Sequence, residues 1–281
     1  MQHVTHSIQS SFIIIMMLIF LFCISFPMAY ATDVQDIKYY ALLVGQSYDR
    51  TESLETMPAS VYDVQCMKQF LSGMDNTPYK ITAVLNQTAS EIRSALVDSF
   101  HNAGPKDICL FYYSGHGAYS DDKNLRGALV GTDQEFLPLT EICQLFCQFS
   151  GIKIIILDSC YSGNIVTALR ALKENGEDVS GVFALCAAGP FEQTVAVTEF
   201  SSGFEHGIFT TSLLTGSMAD NKTDGSLPAD RNKDNAISLM EAYFYIRSTV
   251  KNPITNQHAV MWPEGEDIIL WRYDSKDDMY D

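Results

Sequence analysis

Two stretches decide the fold: residues 107–117, DICLFYYSGHG, and residues 151–163, GIKIIILDSCYSG. Each begins as an apolar run of strand length and breaks into a short polar, glycine-bearing loop. Runs that are apolar at every position, rather than at alternate ones, mark strands buried on both faces of a parallel sheet. Consecutive parallel strands joined by right-handed crossovers end on one common edge. His116 and Cys160, at the ends of these runs, are therefore expected to be neighbours in space.

Outward from this pair the same alternation continues. Residues 37–45 (IKYYALLVG) and 79–85 read as further strands, as do 179–186 and, last in the chain, 267–271. Between them lie helices over 58–74, with Val61, Val64, Met67, Phe70 and Leu71 at helical spacing, and over 138–149, 208–218 and 238–250. Thr88 caps another helix, and Glu91 three residues on completes a capping box. The fold class is thus α/β, a mostly parallel central sheet with helices on both faces, a three-layer sandwich. Flexible insertions are expected at 119–124, 173–178 and 220–234.

The 281 residues have an ordinary globular composition, 47% hydrophobic and 19% charged. Residues 12–27 are apolar, the first charged side chain is Asp33, and Ala29-Tyr30-Ala31 is a small-x-small cleavage pattern. Together they read as a signal peptide over 1–31 and an exported domain over 32–281, periplasmic or secreted. The leader lacks Lys and Arg before its apolar run; an uncleaved anchor is the rival, against which stand Ser25, Pro27 and a run short for a membrane span. Phe22 before Cys23 argues against lipid attachment. With 18 Lys and Arg against 34 Asp and Glu, net −16, the chain is ill suited to nucleic acid or an anionic membrane. It suits cationic substrates and divalent cations. Cys66, Cys109, Cys143, Cys147, Cys160 and Cys186 are scattered among apolar runs and do not read as a disulfide framework. Cys143 and Cys147, four apart on a helix, read as buried small hydrophobes rather than metal ligands.

Cys160 needs a base because a free thiol is only partly ionised near neutrality, and imidazole can both take that proton and return it to a leaving amine. The glycines flanking His116 permit a sharp turn and close approach to a peptide. Backbone N–H groups of Gly117 and Cys160 are the natural donors for an oxyanion.

FYYSGHG followed by IIILDSCYSG resembles the caspase-like peptidases, and within them the metacaspases and their bacterial relatives. PASVYDVQCMKQFL (58–71), GALVGTDQEFLPLTEI (127–142), HGIFTTSLLTG (206–216) and NQHAVMW (256–262) are similar to the family's first helix, its hairpin after the histidine, its later helix and the stretch before its last strand. The resemblance implies a cysteine endopeptidase with His116 and Cys160 as its dyad. It further implies that Asp158, where aspartate-specific caspases carry Gln, and Asp63 line an S1 pocket for Arg or Lys. Peptides or proteins with a basic P1 residue are the implied partners, and Arg170 and Lys173 the implied points of self-cleavage. Legumain-type peptidases and transpeptidases share the same pair, and a non-catalytic calcium-binding scaffold is the rival from another class.

Residues 230–241, DRNKDNAISLME, follow the spacing of an EF-hand loop. Asp230, Asn232, Asp234, Ser238 and Glu241 supply side-chain oxygens at positions 1, 3, 5, 9 and 12, and Ala236 a carbonyl at position 7. Asn235 stands where the pattern has Gly, and no helix is expected before the loop. Ca2+ is the expected cofactor. By resemblance to the metacaspases, Asp133 is a weaker pointer to a second acidic site.

Overall fold

Three apolar runs form the middle of the sheet: β1 (Tyr39–Gly45), β3 (Ile108–Ser114) and β7 (Ile152–Asp158), each buried along nearly its whole length. The computed structural model describes residues 37–74, 77–122, 126–198, 205–218, 226–250 and 257–273. The expected leader lies outside them. β2 (Tyr79–Leu85) closes one edge and is half exposed, as an edge strand is; β8 (Val182–Cys186) and β12 (Val260–Trp262) extend the other. The order is β12-β8-β7-β3-β1-β2, parallel throughout except for the antiparallel β12.

Alternation along these strands divides the core in two. Leu43, Leu110, Tyr112, Ile154 and Ile156 face one layer, where they meet α1 (Pro58–Ser72), α5 (Ile208–Ser217) and α6 (Leu239–Thr249). Leu42, Val44, Phe111, Tyr113, Ile155 and Leu157 face the other, built by α2 (Ala89–Phe100), α3 (Leu139–Gln148) and α4 (Asn164–Glu174). α2 starts on the Thr88–Glu91 capping box. A three-stranded hairpin sheet, β4 (Gly117–Ala118), β5 (Ala128–Val130) and β6 (Phe136–Pro138), packs Leu129 and Leu137 into that second layer.

Two expectations change. The strand expected over 267–271 is β13 (Ile269–Arg272), and it pairs with β11 (Ala236–Ser238), outside the main sheet. There Trp271 packs edge-on against Phe70, ring centroids 5.1 Å apart, and the sheet takes β12 as its edge instead. The helix α4 went unread because it starts at Asn164, directly after Gly163, which looks like the end of a turn. Its Lys173 and Glu174 belong to a segment expected to be a flexible insertion. Of the other two insertions, residues 123–124 and 220–225 lie outside the described residues, and 226–234 is a hydrogen-bonded loop.

Candidate active site

The register of the sheet brings the expected pair together. Gly45, Ser114 and Asp158 are level across β1, β3 and β7. His116 and Cys160 each stand two residues beyond that line, on adjacent strands. The ladder continues past it, with Gly115 N–H donating to Asp158 O at 3.3 Å. A Cβ at position 117 would lie 1.9 Å from Cys160 O and 3.2 Å from Cys160 N, so two backbones touch where only glycine fits. Gly117→Ala is accordingly expected to push the Cys160 loop aside and lower activity at least about 100-fold while the protein still folds, checked by kcat/KM beside a thermal melt.

His116 is held from three directions. Its N–H donates to Tyr48 Oη at 3.0 Å, its carbonyl accepts from Tyr113 Oη at 2.9 Å, and its ring lies 4.6 Å from that of Tyr48, tilted by 35°. Nε2 is 2.8 Å from the carbonyl oxygen of Glu55. A carbonyl can only accept, so that contact keeps a proton on Nε2 and leaves Nδ1 as the ring nitrogen turned to other partners. Burial pushes the Tyr48 hydroxyl up to about 12, so it stays a neutral donor to Val130 O at 2.8 Å.

Cys160 is half-buried, and Thr194 holds its sulfur: the Thr194 N–H donates to Sγ at 3.3 Å, and Thr194 Oγ1 is 3.6 Å away. No hydrogen bond joins Sγ to the imidazole here; such bonds are often long before substrate arrives and tighten around it. The loop behind the sulfur is braced by Gln257 and His258 of the stretch before β12. Buried Gln257 accepts from Val195 N–H and donates to Ala187 O, both at 3.2 Å, while Glu192 accepts from His258 N–H at 2.8 Å and contacts its Nδ1 at 2.8 Å. None of Tyr48, Glu55, Tyr113, Thr194 and Gln257 was singled out from the sequence. Tyr113 and Gln257 alone had a signal, as parts of the FYYSGHG and NQHAVMW stretches quoted for their family likeness.

Asp63 and Asp158 also meet. Asp63, on α1, accepts from Ser114 Oγ at 2.9 Å and from Gly207 N–H at 3.2 Å. Asp158 Oδ2 accepts from Thr210 Oγ1 at 2.7 Å and Thr210 N–H at 3.2 Å. Both carboxylates close on Gly207, where a Cβ would lie 2.3 Å from Asp158 Oδ2 and 2.9 Å from Asp63 Oδ2. Both side chains are buried, and burial holds each above the usual carboxylate range; the charge of Asp158 raises Asp63 further. His206 Nδ1 is 3.8 Å from Asp63. Beside them opens a cavity of about 370 Å3, lined by Asp63, Cys66, His206, Thr210, Leu214 and Met218 among others. An acidic pair that lacks a counter-charge attracts a cation.

The family model for the caspase domain (Peptidase_C14) matches residues 38–257. The chain belongs to the caspase family. As a caspase domain it is a cysteine peptidase in kind. The solved structure of protein GSU0716 from Geobacter sulfurreducens shares the fold, with a TM-score of 0.56 and 16% identity over 80% of this chain and 93% of that one. No curated protein matches the sequence significantly.

The remaining sites expected on this caspase domain are less complete. In the loop 230–241, Asn235 takes the left-handed corner (φ 57°) that Gly would occupy, and its N–H donates to Asp230 Oδ2 at 3.0 Å. Asn232 and Asp234 accept from the N–H groups of Asp234 and Ala236, each at 3.0 Å. Ser238 and Glu241 form the capping box of α6, and Glu241 Oε1 also accepts from Arg231 N–H at 2.9 Å. The turn fits an EF-type loop. Its carboxylates, however, are committed to backbone donors, and among the described residues no three His, Cys, Asp or Glu stand close enough to hold a metal. Asp133 accepts from Ala89 N–H at 3.1 Å, at the start of α2. Cys143 is buried, and all six described cysteines are free thiols. Arg170 and Lys173 both lie in α4, the first paired with Glu264 at 2.9 Å, the second over the Trp262 ring at 5.7 Å. Among the described residues no helix is long and apolar enough to cross a membrane.

Proposed function

We propose that this caspase domain is an endopeptidase that cleaves after Arg or Lys through His116 and Cys160. One observation carries the proposal: the level ends of β3 and β7 set His116 beside Cys160 with Nε2 committed to Glu55 O. Nδ1 then takes the Sγ proton, and the thiolate attacks the scissile carbonyl. The N–H groups of Gly117 and Cys160 receive the oxyanion. The imidazolium returns the proton to the departing amine, and a water, deprotonated by the same Nδ1, cleaves the thioester and regenerates the thiol. The P1 preference rests on Asp63 and Asp158. A guanidinium or ammonium brought to them supplies the counter-charge they lack.

A fluorogenic panel with Arg, Lys, Asn or Asp at P1, run with calcium and with chelator, tests this directly. Hydrolysis of the Arg and Lys members alone is expected; a preference for Asn or Asp removes the basic-P1 assignment.

Calcium belongs to the same proposal, with Asp230, Asn232, Asp234, Ala236, Ser238 and Glu241 as its donors. Binding would exchange the N–H groups now on Glu241 for the ion and brace the start of α6. Saturating calcium is expected to raise the melting temperature by about 5 °C, and Asp230→Ala to remove that rise; equal melts with calcium and chelator would exclude the site. Residues 1–31 act in this scheme as the export leader. Self-cleavage after Arg170 or Lys173 requires α4 to unwind first, because a peptidase cleft takes an extended chain; an active preparation that stays one intact chain would rule it out.

A further inference from the structure

Three aromatic rings stand together where the Cys160 loop meets the strand that follows His116. Tyr119 lies two residues beyond Gly117, Tyr161 follows Cys160, and Phe191 belongs to the loop that braces the sulfur. The Tyr119 and Tyr161 centroids are 5.7 Å apart, inclined at 41°, and those of Tyr119 and Phe191 5.5 Å apart at 66°. Tyr161 has a left-handed backbone (φ 59°), a conformation that costs a non-glycine residue about 1 kcal/mol or more. Its N–H is held by Glu192 O at 2.8 Å, and its hydroxyl accepts from Gln193 Nε2 at 3.0 Å. The two tyrosines are half-buried, while Phe191 is 75% exposed, the most open large apolar side chain among the described residues. Neither the dyad nor the acidic pair uses these rings.

Their side of the cleft follows from the sheet. Alternation turns Ser114 and Asp158 toward the layer of α1 and α5, where Asp63 waits, and Tyr113 and Leu157 toward the layer of the β4–β6 hairpin and α4. The rings are carried by the end of β4 and the approach to α4. The acidic pair and the rings thus flank the His116–Cys160 line from opposite sides. A peptide whose P1 side chain reaches Asp63 and Asp158 carries its next residue across Cys160 toward the rings.

We propose that Tyr119, Tyr161 and Phe191 form the subsite for the first residue on the leaving side of the scissile bond, P1′, and select a large apolar or aromatic side chain there. This rests on the peptidase assignment above and adds a second specificity element to it. Ring-to-ring packing of the kind already present between Tyr119 and Phe191 would extend onto the substrate.

The test is a quenched-peptide matrix with Arg, Asn or Asp at P1 crossed with Phe, Leu, Gly or Asp at P1′. For whichever P1 is accepted, kcat/KM for Phe at P1′ is expected to exceed that for Gly by about tenfold, the order of one well-packed side chain. Phe191→Ala, a change at an exposed position, should bring that ratio close to one, and Tyr119→Ala should do the same. Phe136→Ala, at another exposed phenylalanine (47%), should leave the ratio as it is. Cleavage with a flat P1′ profile, or a Phe-to-Gly ratio that survives both ring deletions, overturns the subsite and leaves the peptidase intact. Cleavage of no member overturns the peptidase assignment and the subsite with it, and a P1 preference other than Arg overturns the acidic-pocket assignment alone.

Discussion

Cys160→Ala is expected to abolish hydrolysis of an Arg-P1 peptide, a fall of about 10⁴-fold or more. No other described thiol can replace it. Cys109, Cys143 and Cys186 are buried, and burial pushes their thiols upward, away from the nucleophilic thiolate; the half-buried Cys66 and Cys147 are pushed the same way, by burial first. Cys160 sits half-open at the edge of the sheet, between Gly117 and Thr194. Iodoacetamide at neutral pH should therefore label Cys160 first, and labelling should track loss of activity. His116→Ala should cost nearly as much on the peptide, because the two groups act as a unit. It should also slow alkylation of Cys160, since the base that draws off the thiol proton is gone. Activity that survives either substitution would mean the dyad is misassigned.

The second large effect couples stability to specificity. Asp63→Asn is expected to lower kcat/KM for Arg at P1 by about 100-fold, the order of losing one buried charge partner, and at the same time to stabilise the protein. The asparagine fits the existing bonds, accepting from Gly207 N–H and donating to Ser114 Oγ where the carboxylate now accepts from it. The sign follows from linkage. Both carboxylates are held above their unfolded values, by burial first and, for Asp63, also by the charge of Asp158. The folded state therefore binds protons more tightly than the unfolded chain. The pair's contribution is fully present below the ordinary carboxylate range and is lost as pH rises through the raised folded values. Wild type should lose melting temperature as pH climbs from about 4 toward 8, and Asp63→Asn should lose less, with a gain on the order of 2 kcal/mol at the alkaline end. A wild-type melt flat in pH would remove the buried charge pair. Asp158→Ala should abolish cleavage after Arg altogether, since it also strips Thr210 of its acceptor; Arg cleavage retained by that variant would remove the pocket.

A site that is costly to leave empty suits a substrate that brings its own cation. The segment Gly207–Thr210 now supplies donors to both carboxylates, so an arriving guanidinium competes with backbone N–H groups as well as with water. His206, 3.8 Å from Asp63 and 24% exposed, stands at the same place.

Much of this was legible in the chain itself. Doubly apolar runs identified β1, β3 and β7, since period and composition record whether a strand is buried on one face or two. The Thr88–Glu91 pair marked a helix start, because a capping box is a contact between residues three apart. The order of His116 and Cys160 at the ends of two such runs pointed to the proposed chemistry, and family likeness pointed to Asp63 and Asp158 for the proposed specificity. What local spacing encodes, the sequence determined.

Only the tertiary structure decided the rest. The acceptor for His116 Nε2 is the backbone carbonyl of Glu55, 61 residues away, and a carbonyl leaves no trace in residue type. Gln257 reaches the Cys160 loop across 62 positions, and Gly207 reaches Asp63 across 144. Tyr119, Tyr161 and Phe191 are ordinary aromatics in the chain and become a shelf only when two loops meet. The choice of β12 over β13 as the sheet edge was likewise beyond local pattern, because both are short apolar runs and what separates them is the neighbour each finds. Periodicity records which face of an element is buried; which partner buries it is settled by packing between residues far apart in the chain.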